Sequence, residues 1–388
     1  MAGEFSIASF NLHNFNYKSA DATSSGVSAL FKKAKLKRLA ELFTSGDYDI
    51  IALQEIQTPE TVKAIVNEMG NSYRSCHCHD FYDGISEGRF KSPGREKRGE
   101  LAFIWNANRV ELYKNCAVYQ RLNDRMWLAL DYFIQGASAL LASYLGAGAI
   151  LADEDEDLDD EEKRKSKKSN TAKKSVKCLG AAGAAAAGYL GHKYLGAQLK
   201  RMRPPFVAIF NRRSGSLIDK ERQIRLLNVH SQFGRTDADK SSTLSEIRTK
   251  EAEYVLREAF QIVKSERDDE SSLGLVMALG DFNLSEQTLQ KIAGEINAMP
   301  MRSDKMEIGV AHLTTVSVSN QEEVKQGKPR EYKYSNDYDH FAFDMDVWDV
   351  KKARRCFDKE YDKFYVLEGV EKRALSDHLP VVISTDRI

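Results

Sequence analysis

Six short apolar runs, separated by longer amphipathic stretches, constrain the fold of this chain more than any other feature. The runs are residues 5–10, 49–53, 101–105, 206–210, 224–229 and 275–279. Continuous apolar runs of this length, bounded by polar residues, are typical of buried strands. Residues 30–43 and 244–263 repeat apolar side chains every three or four positions, which predicts helices that cover a sheet. The sequence therefore predicts an α/β fold, or an α+β fold with much antiparallel pairing.

Composition narrows the class of protein. Hydrophobic residues make up 42% of the 388 residues and charged residues 29%, which is typical of a soluble globular protein. With 57 Lys and Arg against 57 Asp and Glu, a polyanionic partner would have to be held by a local basic patch or by a bound cation. Five cysteines without framework spacing, and an N-terminus without a basic segment followed by a long apolar stretch, argue against a secreted, disulfide-stapled chain. We therefore expect a cytoplasmic location.

Residues 126–200 interrupt the globular pattern. Nine of the ten residues 153–162 are acidic, and residues 163–177 contain eight Lys and Arg with no acid. Such blocks of like charge are typical of solvated segments. We interpret 126–200 as an insertion into a single domain that is made of residues 1–125 and 201–388.

The Ala- and Gly-rich flanks of this insertion leave two interpretations open. Residues 132–152 as a helix would span about 30 Å, the thickness of a bilayer's hydrocarbon core. Residues 178–199 carry small side chains at four-residue spacing, which suits close helix contact, but also His192 and Lys193. The insertion is either a soluble helical hairpin, with an oligomerisation or regulatory role, or a membrane-associated hairpin.

Polar side chains gather where the predicted strands end and in two short motifs near the C-terminus. They are Asn11, Glu55, His230, Asp281, Asn283, Asp339, Asp377 and His378. Each alone has a structural explanation as a turn residue or a buried histidine. Together, so many carboxylates in one place require a cation or an imidazolium to offset their charge, and hard oxygen ligands without a thiolate favour Mg²⁺ or Mn²⁺ over Zn²⁺. The sequence therefore predicts a divalent metal site.

Seven short motifs, in order, carry a resemblance to a known family. They are SFNLHNF, LQEIQ, GELAFIWN, NVHSQFG, GDFNLSE, YDHFAF and SDHLPVV. In this order they resemble the endonuclease/exonuclease/phosphatase superfamily, which has the deoxyribonuclease-I-like fold, over nearly the whole chain except 126–200. The resemblance implies a four-layer α/β/β/α sandwich whose site, at one edge of two packed sheets, cleaves phosphoester bonds with a divalent cation.

The resemblance also implies a role for each polar residue. Glu55 resembles the principal metal ligand of the family, with Asn11 and Asp377 beside it. Asp281 and Asn283 resemble the pair that positions the water and the scissile phosphate.

The histidines take the remaining roles. His378 resembles a general base or a phosphate-oriented imidazole whose tautomer is fixed by Asp339. His230 resembles the general acid/base on the other side, and Glu100 stands where deoxyribonuclease-like members keep a glutamate that pairs with this histidine. An imidazole that is held by a carboxylate is oriented, and its protonated form is stabilised.

His230 and a basic segment bear on the substrate. Apurinic-site endonucleases of the superfamily usually have tyrosine at the position of His230, which makes that repair role less favoured. Residues 86–99 contain five Lys and Arg against two Glu and lead directly into Glu100, so Arg95, Lys97 and Arg98 are candidate contacts to a phosphate backbone. A solvated surface loop explains the same composition equally well.

The sequence analysis therefore predicts a Mg²⁺- or Mn²⁺-dependent phosphodiesterase, specifically a DNA endonuclease of low sequence specificity that uses direct water attack. One alternative is a phosphodiesterase or phosphatase that acts on phosphoinositides or sphingomyelin at membranes, which the apolar insertion favours. A second alternative is a catalytically silent binding module on the same fold, against which the completeness of the polar set argues.

Overall fold

The computed structural model of this protein describes the segments that form its strands and helices. The described residues are 5–78, 101–118, 205–214, 217–231, 241–265, 275–299, 305–310, 314–318, 332–334, 336–344, 350–355, 366–367 and 373–385. They all belong to one compact unit, formed by Met1–Tyr119 and Arg203–Ile388. The insertion predicted at 126–200 lies outside the described residues, so its two interpretations stay open.

The strands and helices have the following bounds. The strands are β1 (Phe5–Phe15), β2 (Ile50–Ile56), β3 (Tyr73–His77), β4 (Leu101–Asn106), β5 (Val110–Val118), β6 (Phe206–Ser214), β7 (Leu217–His230), β8 (Leu275–Asp281), β9 (Met306–Val310), β10 (Val316–Val318), β11 (Tyr332–Tyr334), β12 (Asp339–Asp344), β13 (Val350–Arg355), β14 (Val366–Leu367), β15 (Arg373–Ala374) and β16 (Val381–Thr385). The helices are α1 (Ser19–Thr23), α2 (Val27–Ser45), α3 (Pro59–Met69), α4 (Ser241–Tyr254), a π-helical turn (Val255–Ala259), α5 (Phe260–Ser265) and α6 (Glu286–Asn297).

Two six-stranded sheets form the centre of the molecule. Their strand orders are β13-β16-β1-β2-β4-β3 and β5-β6-β7-β8-β12-β9. In each sheet one neighbouring pair is parallel, β1 with β2 and β7 with β8, and the adjoining strands are antiparallel. The carboxyl ends of these two parallel pairs provide the rigid strand ends on which the candidate site is built.

The two sheets pack face to face because each strand alternates its side chains between the two faces of its sheet. On β1, Phe5 and Ile7 point between the sheets, where they join aromatic residues such as Phe103 and Phe210, whereas Ala8 and Phe10 point outwards. The inner faces therefore form one continuous apolar core, and the outer faces need a second layer to cover them.

Helices form the two outer layers. Leu39 and Phe43 of α2 and Ile65 of α3 pack on the outer face of the first sheet. Beside the second sheet, α5 contacts β7 and β8, and α6 contacts β9. The four-layer α/β/β/α sandwich that the sequence predicts is confirmed.

The element bounds differ from the predicted ones mainly at the carboxyl ends of the strands. β1 and β8 continue through Phe15 and Asp281, beyond the last residue of the apolar run. These extensions consist largely of polar side chains, which apolar patterning does not mark as strand. The helix predicted at 244–263 is divided by the π-helical turn Val255–Ala259.

One disulfide differs from the sequence expectation. Cys76 on β3 and Cys116 on β5 are bonded, whereas the buried thiol of Cys78 is not part of a disulfide. The two bonded residues are 40 positions apart and lie in different sheets, so no local spacing pattern predicts their pairing. The sequence argued only against a secreted, disulfide-stapled chain, and it did not predict this bond.

Membrane crossing has no support from the described helices. Within the segments that the structure describes, no helix combines the length and the apolar character that a membrane span needs.

Candidate functional site

The candidate site begins where the inner faces of the sandwich change from apolar to polar. Every second side chain of a strand lies on the same face. Asn11 therefore lies on the inner face of β1 with Phe5 and Ile7, and His230 lies on the inner face of β7 with Ile224 and Leu226. The inner-face positions are therefore apolar through the core and become polar at one edge of the molecule. Burial and strand geometry together bring these side chains to a common edge.

Strand register places three of the predicted residues side by side. His230 on β7 is opposite Asp281 on β8, and Asp281 is opposite Asp339 on β12. Residues directly opposite one another on neighbouring strands are close enough to interact. Three residues that are more than fifty positions apart in sequence therefore form one row across the second sheet.

Glu55 reaches this row from the first sheet because the backbone of β2 breaks its alternation there. Its φ angle is 57°, in the left-handed region that residues other than glycine seldom adopt. Uncommon backbone conformations of this kind cluster at functional sites, where the surrounding structure holds them.

Glu55 meets His230 and Asn11 across the two sheets. The Oε1 atom of Glu55 is 3.4 Å from Nε2 of His230 and accepts a hydrogen bond of 3.3 Å from Nδ2 of Asn11. Partial burial alone would raise the pKa of Glu55, but the hydrogen bonds from His230 and Asn11 outweigh it and lower the pKa to about 2. The Glu55 carboxylate is therefore ionised across the physiological pH range.

Asp281 is a buried carboxyl group at the centre of the row. Its Oδ2 accepts a 3.0 Å hydrogen bond from Nδ2 of Asn11, and its Oδ1 accepts the backbone N–H of Asn283 at 2.9 Å. Burial raises its pKa, which the nearby imidazole of His378 opposes. Asn283 also has a positive φ of 50°, and its Nδ2 donates to the carbonyl of Ser231. The turn after β8 thus fixes both side chains.

His378 and Asp339 form a buried ion pair. The Nδ1 atom of His378 is 2.8 Å from Oδ2 of Asp339, and its Nε2 is 3.7 Å from Oδ2 of Asp281. Burial lowers the pKa of His378, but the charges of Asp339 and Asp281 outweigh it and raise the pKa to about 10. The imidazole is therefore protonated at neutral pH, which suits the phosphate-oriented role better than that of a general base.

Asp377 lies at the solvent side of the site, next to a residue that sequence reasoning did not assign. Its Oδ2 is 2.9 Å from Nδ1 of His13, and both side chains are at least half exposed. The hydrogen bond to Asp377 raises the pKa of His13. Partial burial opposes ionisation of Asp377, but the bond from His13 outweighs it and lowers the pKa of this carboxyl group.

The donor chemistry of Glu55 and Asp377 fits a divalent cation. Both carboxylates have lowered pKa values and reach solvent, and neither is accompanied by a thiolate. Asn11 is adjacent to Glu55, with its amide nitrogen turned to the carboxylates. Among the described residues, however, no three His, Cys, Asp or Glu side chains are grouped closely enough to hold a metal ion.

Four of the predicted site residues have no described position. Glu100, Arg95, Lys97 and Arg98 lie outside the described residues, and their roles stay predictions. The other eight, named above, converge at one edge of the sandwich.

The structure adds a buried amide network that sequence reasoning missed. Nε2 of Gln54 donates to Oδ1 of Asn228 at 2.8 Å, and Asn228 in turn donates to the carbonyls of Leu53 and Ala102. Gln54 also bonds to Ser9. The network joins the two sheets next to the site, because Gln54 precedes Glu55 on β2 and Asn228 lies two residues before His230 on β7. The motifs LQE and NVH contain both amides, but no local rule separates a network amide from a turn residue.

Solved structures similar to this chain include proteins described as members of the endonuclease/exonuclease/phosphatase family, the class that the sequence motifs resemble. One is a family protein from Bacteroides thetaiotaomicron, with 12% identity, a TM-score of 0.48, and coverage of 99% of this chain and 95% of that chain. Another is the mannosyl-6-phosphatase of Bacteroides thetaiotaomicron VPI-5482, with 12% identity, a TM-score of 0.46, and coverage of 98% and 99%.

A third is TDP2 from D. rerio, humanized by 14 mutations, with 12% identity, a TM-score of 0.45, and coverage of 99% of both chains. No family model and no curated protein matches the sequence. The case for an activity therefore depends on the side chains of the site.

Proposed function

We propose that this protein is a divalent-metal-dependent phosphoester hydrolase, and that its substrate is DNA, cleaved internally with low sequence specificity. The observation that carries the proposal is the arrangement around Asp281. Oδ2 of this carboxyl group lies 3.7 Å from Nε2 of His378 and 4.0 Å from Nε2 of His230. His378 is paired with Asp339, and His230 is paired with Glu55. Hydrolysis of a phosphoester needs groups of both kinds, to bind the phosphate and to move protons on either side of it.

His378 would bind the phosphate. Asp339 holds its Nδ1, so its Nε2 is the nitrogen that is turned towards the interior of the site. As an imidazolium it offers a charge-assisted hydrogen bond to a phosphate oxygen. Charge that develops on that oxygen during attack is stabilised by a donor that is already in place.

Proton transfer would be carried out by Asp281 and His230. Asp281, whose pKa is raised by burial, would orient the attacking water and take up its proton, and the amide of Asn283 would hold the phosphate against it. His230 would donate a proton to the leaving oxygen, oriented by the Glu55 carboxylate. No covalent intermediate is needed, and the water attacks phosphorus directly.

Glu55 and Asp377 are the residues that would hold the cation, with Asn11 beside them. A bound Mg²⁺ or Mn²⁺ would supply Lewis-acid stabilisation of charge on the phosphate.

The choice of DNA rests on sequence. A chain with balanced charge needs a local basic patch to hold a polyanion, and residues 86–99 provide five Lys and Arg immediately before β4. Arg95, Lys97 and Arg98 would contact the backbone, which gives affinity without sequence preference.

Nicking of supercoiled plasmid tests the proposal. Wild type, His230→Ala and a surface control, Arg38→Ala, are purified identically and assayed with Mg²⁺, with Mn²⁺ and with EDTA. Arg38 pairs with Glu41 in a partly exposed contact on α2 that takes no part in the proposed chemistry.

We expect metal-dependent nicking by wild type and by Arg38→Ala, and a reduction of about 10² to 10⁴-fold in His230→Ala, which is the usual contribution of a general acid. Equal nicking by all three proteins would indicate a contaminant. If folded wild type does not nick DNA but releases phosphate or headgroup from phosphoinositide or sphingomyelin vesicles, the lipid alternative replaces the DNA proposal. Inactivity on every substrate would favour the silent binding module.

A further inference from the structure

Lys35 is a buried lysine that the proposed chemistry does not use. It lies on α2, and only 3% of its surface is exposed, whereas Lys37 on the same helix is exposed. Lysine is almost never fully buried without a partner, because removal of its ammonium group from water is costly. A buried lysine in an otherwise apolar helix face therefore needs a reason.

Two close contacts of the ammonium group are on β1, a hydrogen bond and an aromatic ring. Its Nζ donates a 2.6 Å hydrogen bond to the carbonyl of Leu12 and lies 4.7 Å from the centre of the Phe15 ring. Burial lowers the pKa of Lys35 to about 7, although the charges of Asp377 and Glu55 oppose this. The lysine is therefore near the candidate metal ligands without touching them.

The carbonyl that Lys35 binds belongs to a bulge in β1. Asn11 pairs with Gln54 and Phe15 pairs with Ile56, so three residues of β1 stand opposite one residue of β2. That one residue is Glu55. A bulge next to an active site changes the direction in which nearby side chains point.

Backbone N–H groups of the bulge donate hydrogen bonds to two side chains of the candidate site. Asn14 donates to Oε2 of Glu55 at 2.8 Å, and His13 donates to Oδ1 of Asn11 at 3.0 Å. Both bulge residues have positive φ angles, 51° for His13 and 52° for Asn14. Such conformations are energetically unfavourable and persist only where the surrounding structure holds them.

We infer that Lys35 is a positioning residue, which fixes the bulge by its bond to the Leu12 carbonyl and thereby orients Glu55 and Asn11. Leu12 directly precedes the two left-handed residues, so this bond holds the carbonyl from which the bulge begins. The importance of this role for turnover rests on the proposed function, but the positioning itself does not.

Hydrogen–deuterium exchange on the metal-free protein tests the positioning. The variants are Lys35→Met, which keeps the length and removes the donor, Lys35→Arg, which keeps a donor and charge, and Lys37→Met as the matched control. Backbone N–H exchange is measured at His13 and Asn14, and folding is followed by circular dichroism and thermal melting. Lys35→Gln, shorter and uncharged, supplies the comparison if Lys35→Met does not fold.

We expect exchange at His13 and Asn14 to be at least about ten-fold faster in Lys35→Met, with no loss of melting temperature, and unchanged in Lys37→Met. Lys35→Arg should restore most of the protection. Unchanged exchange in a folded variant without the donor would overturn the inference.

Kinetics then separate positioning from the proposed function. Supporting groups of this kind typically contribute about 10–100-fold to activity. With the substrate that wild type cleaves, Lys35→Met should therefore lower kcat by about ten-fold or more and change KM little. Faster exchange with an unchanged kcat would show that the bulge does not matter for turnover. Faster exchange in a protein that cleaves nothing would refute the proposed function alone.

Discussion

Replacement of Asp339 by Asn should destabilise the protein at neutral pH and leave its stability nearly unchanged in alkali. The substitution keeps the shape of the side chain and an acceptor for Nδ1 of His378, but removes the charge. In the folded protein the pKa of His378 is raised from 6.5 to about 10, with Asp339 as the largest favourable cause. One pKa unit corresponds to about 1.4 kcal/mol, so the surroundings of His378 favour its protonated form by roughly 5 kcal/mol.

The sign follows from linkage between protonation and folding. Because the folded pKa lies above the unfolded one, this stabilisation is fully present below about pH 6.5 and is lost as the pH rises through about 10. Loss of one partner from a buried ion pair typically costs about 3–5 kcal/mol. We therefore expect Asp339→Asn to lower the free energy of unfolding by about 3 kcal/mol at pH 6, and by less than about 1 kcal/mol at pH 10.5.

Urea unfolding of the metal-free proteins at pH 6, 8 and 10.5 measures this difference. Asp47→Asn is the control, because Asp47 pairs with Arg109 at the surface, where a pair contributes less than about 1 kcal/mol. Its effect should be small at all three pH values. A deficit in Asp339→Asn that is the same at pH 6 and pH 10.5 would refute the reasoning, as would a wild-type His378 resonance that titrates near 6.5.

Two further predictions concern the backbone and the disulfide. A Cβ atom at Gly280, where φ is +136°, would lie 2.0 Å from the carbonyl oxygen of Val229, so Gly280→Ala should lower the free energy of unfolding by about 3 kcal/mol or more. Gly294 lies in an open helical position, so Gly294→Ala should raise the free energy of unfolding by about 1 kcal/mol. Chemical denaturation compares the two variants, and equal effects would contradict the steric argument. Replacement of Cys76 and Cys116 by Ser opens a 40-residue loop, for which the chain-entropy model gives a loss of about 4 kcal/mol in the free energy of unfolding. Urea unfolding measures this loss, and a reductant should lower the stability of wild type only.

Much of the fold could be predicted because its signals are local. The apolar runs that precede Asn11, Glu55 and Asp281 are short and continuous, and strands that are buried on both faces need such runs. The helix predicted at 30–43 lies within α2 for the same reason, since its apolar face must cover a sheet. The π-helical turn in the helix predicted at 244–263 has no comparable signal in the repeat of apolar residues.

The candidate site could be predicted in part. Polar residues at strand ends stand out in the sequence, so His230, Asp281 and His378 were predicted. The structure places the two histidines 4.0 Å and 3.7 Å from Oδ2 of Asp281. Lys35 was not found, because a lysine in an amphipathic helix is ordinarily a surface residue. His13 was not found either, because its contact with the site depends on a bulge that no local pattern marks.

By itself the sequence predicted six strands, two helical stretches and the residue types of the site, because hydrophobic periodicity and strand-end polarity depend only on near neighbours along the chain. The layered architecture followed from the resemblance of its motifs to a known family. The resemblance implied the pairing of Asp339 with His378, which the structure contains. Tertiary structure alone decided that Glu55 faces His230 and that Lys35 bonds to the bulge. It also decided their charge states, because the pKa of a buried group is set by burial and by charges that come from distant parts of the chain.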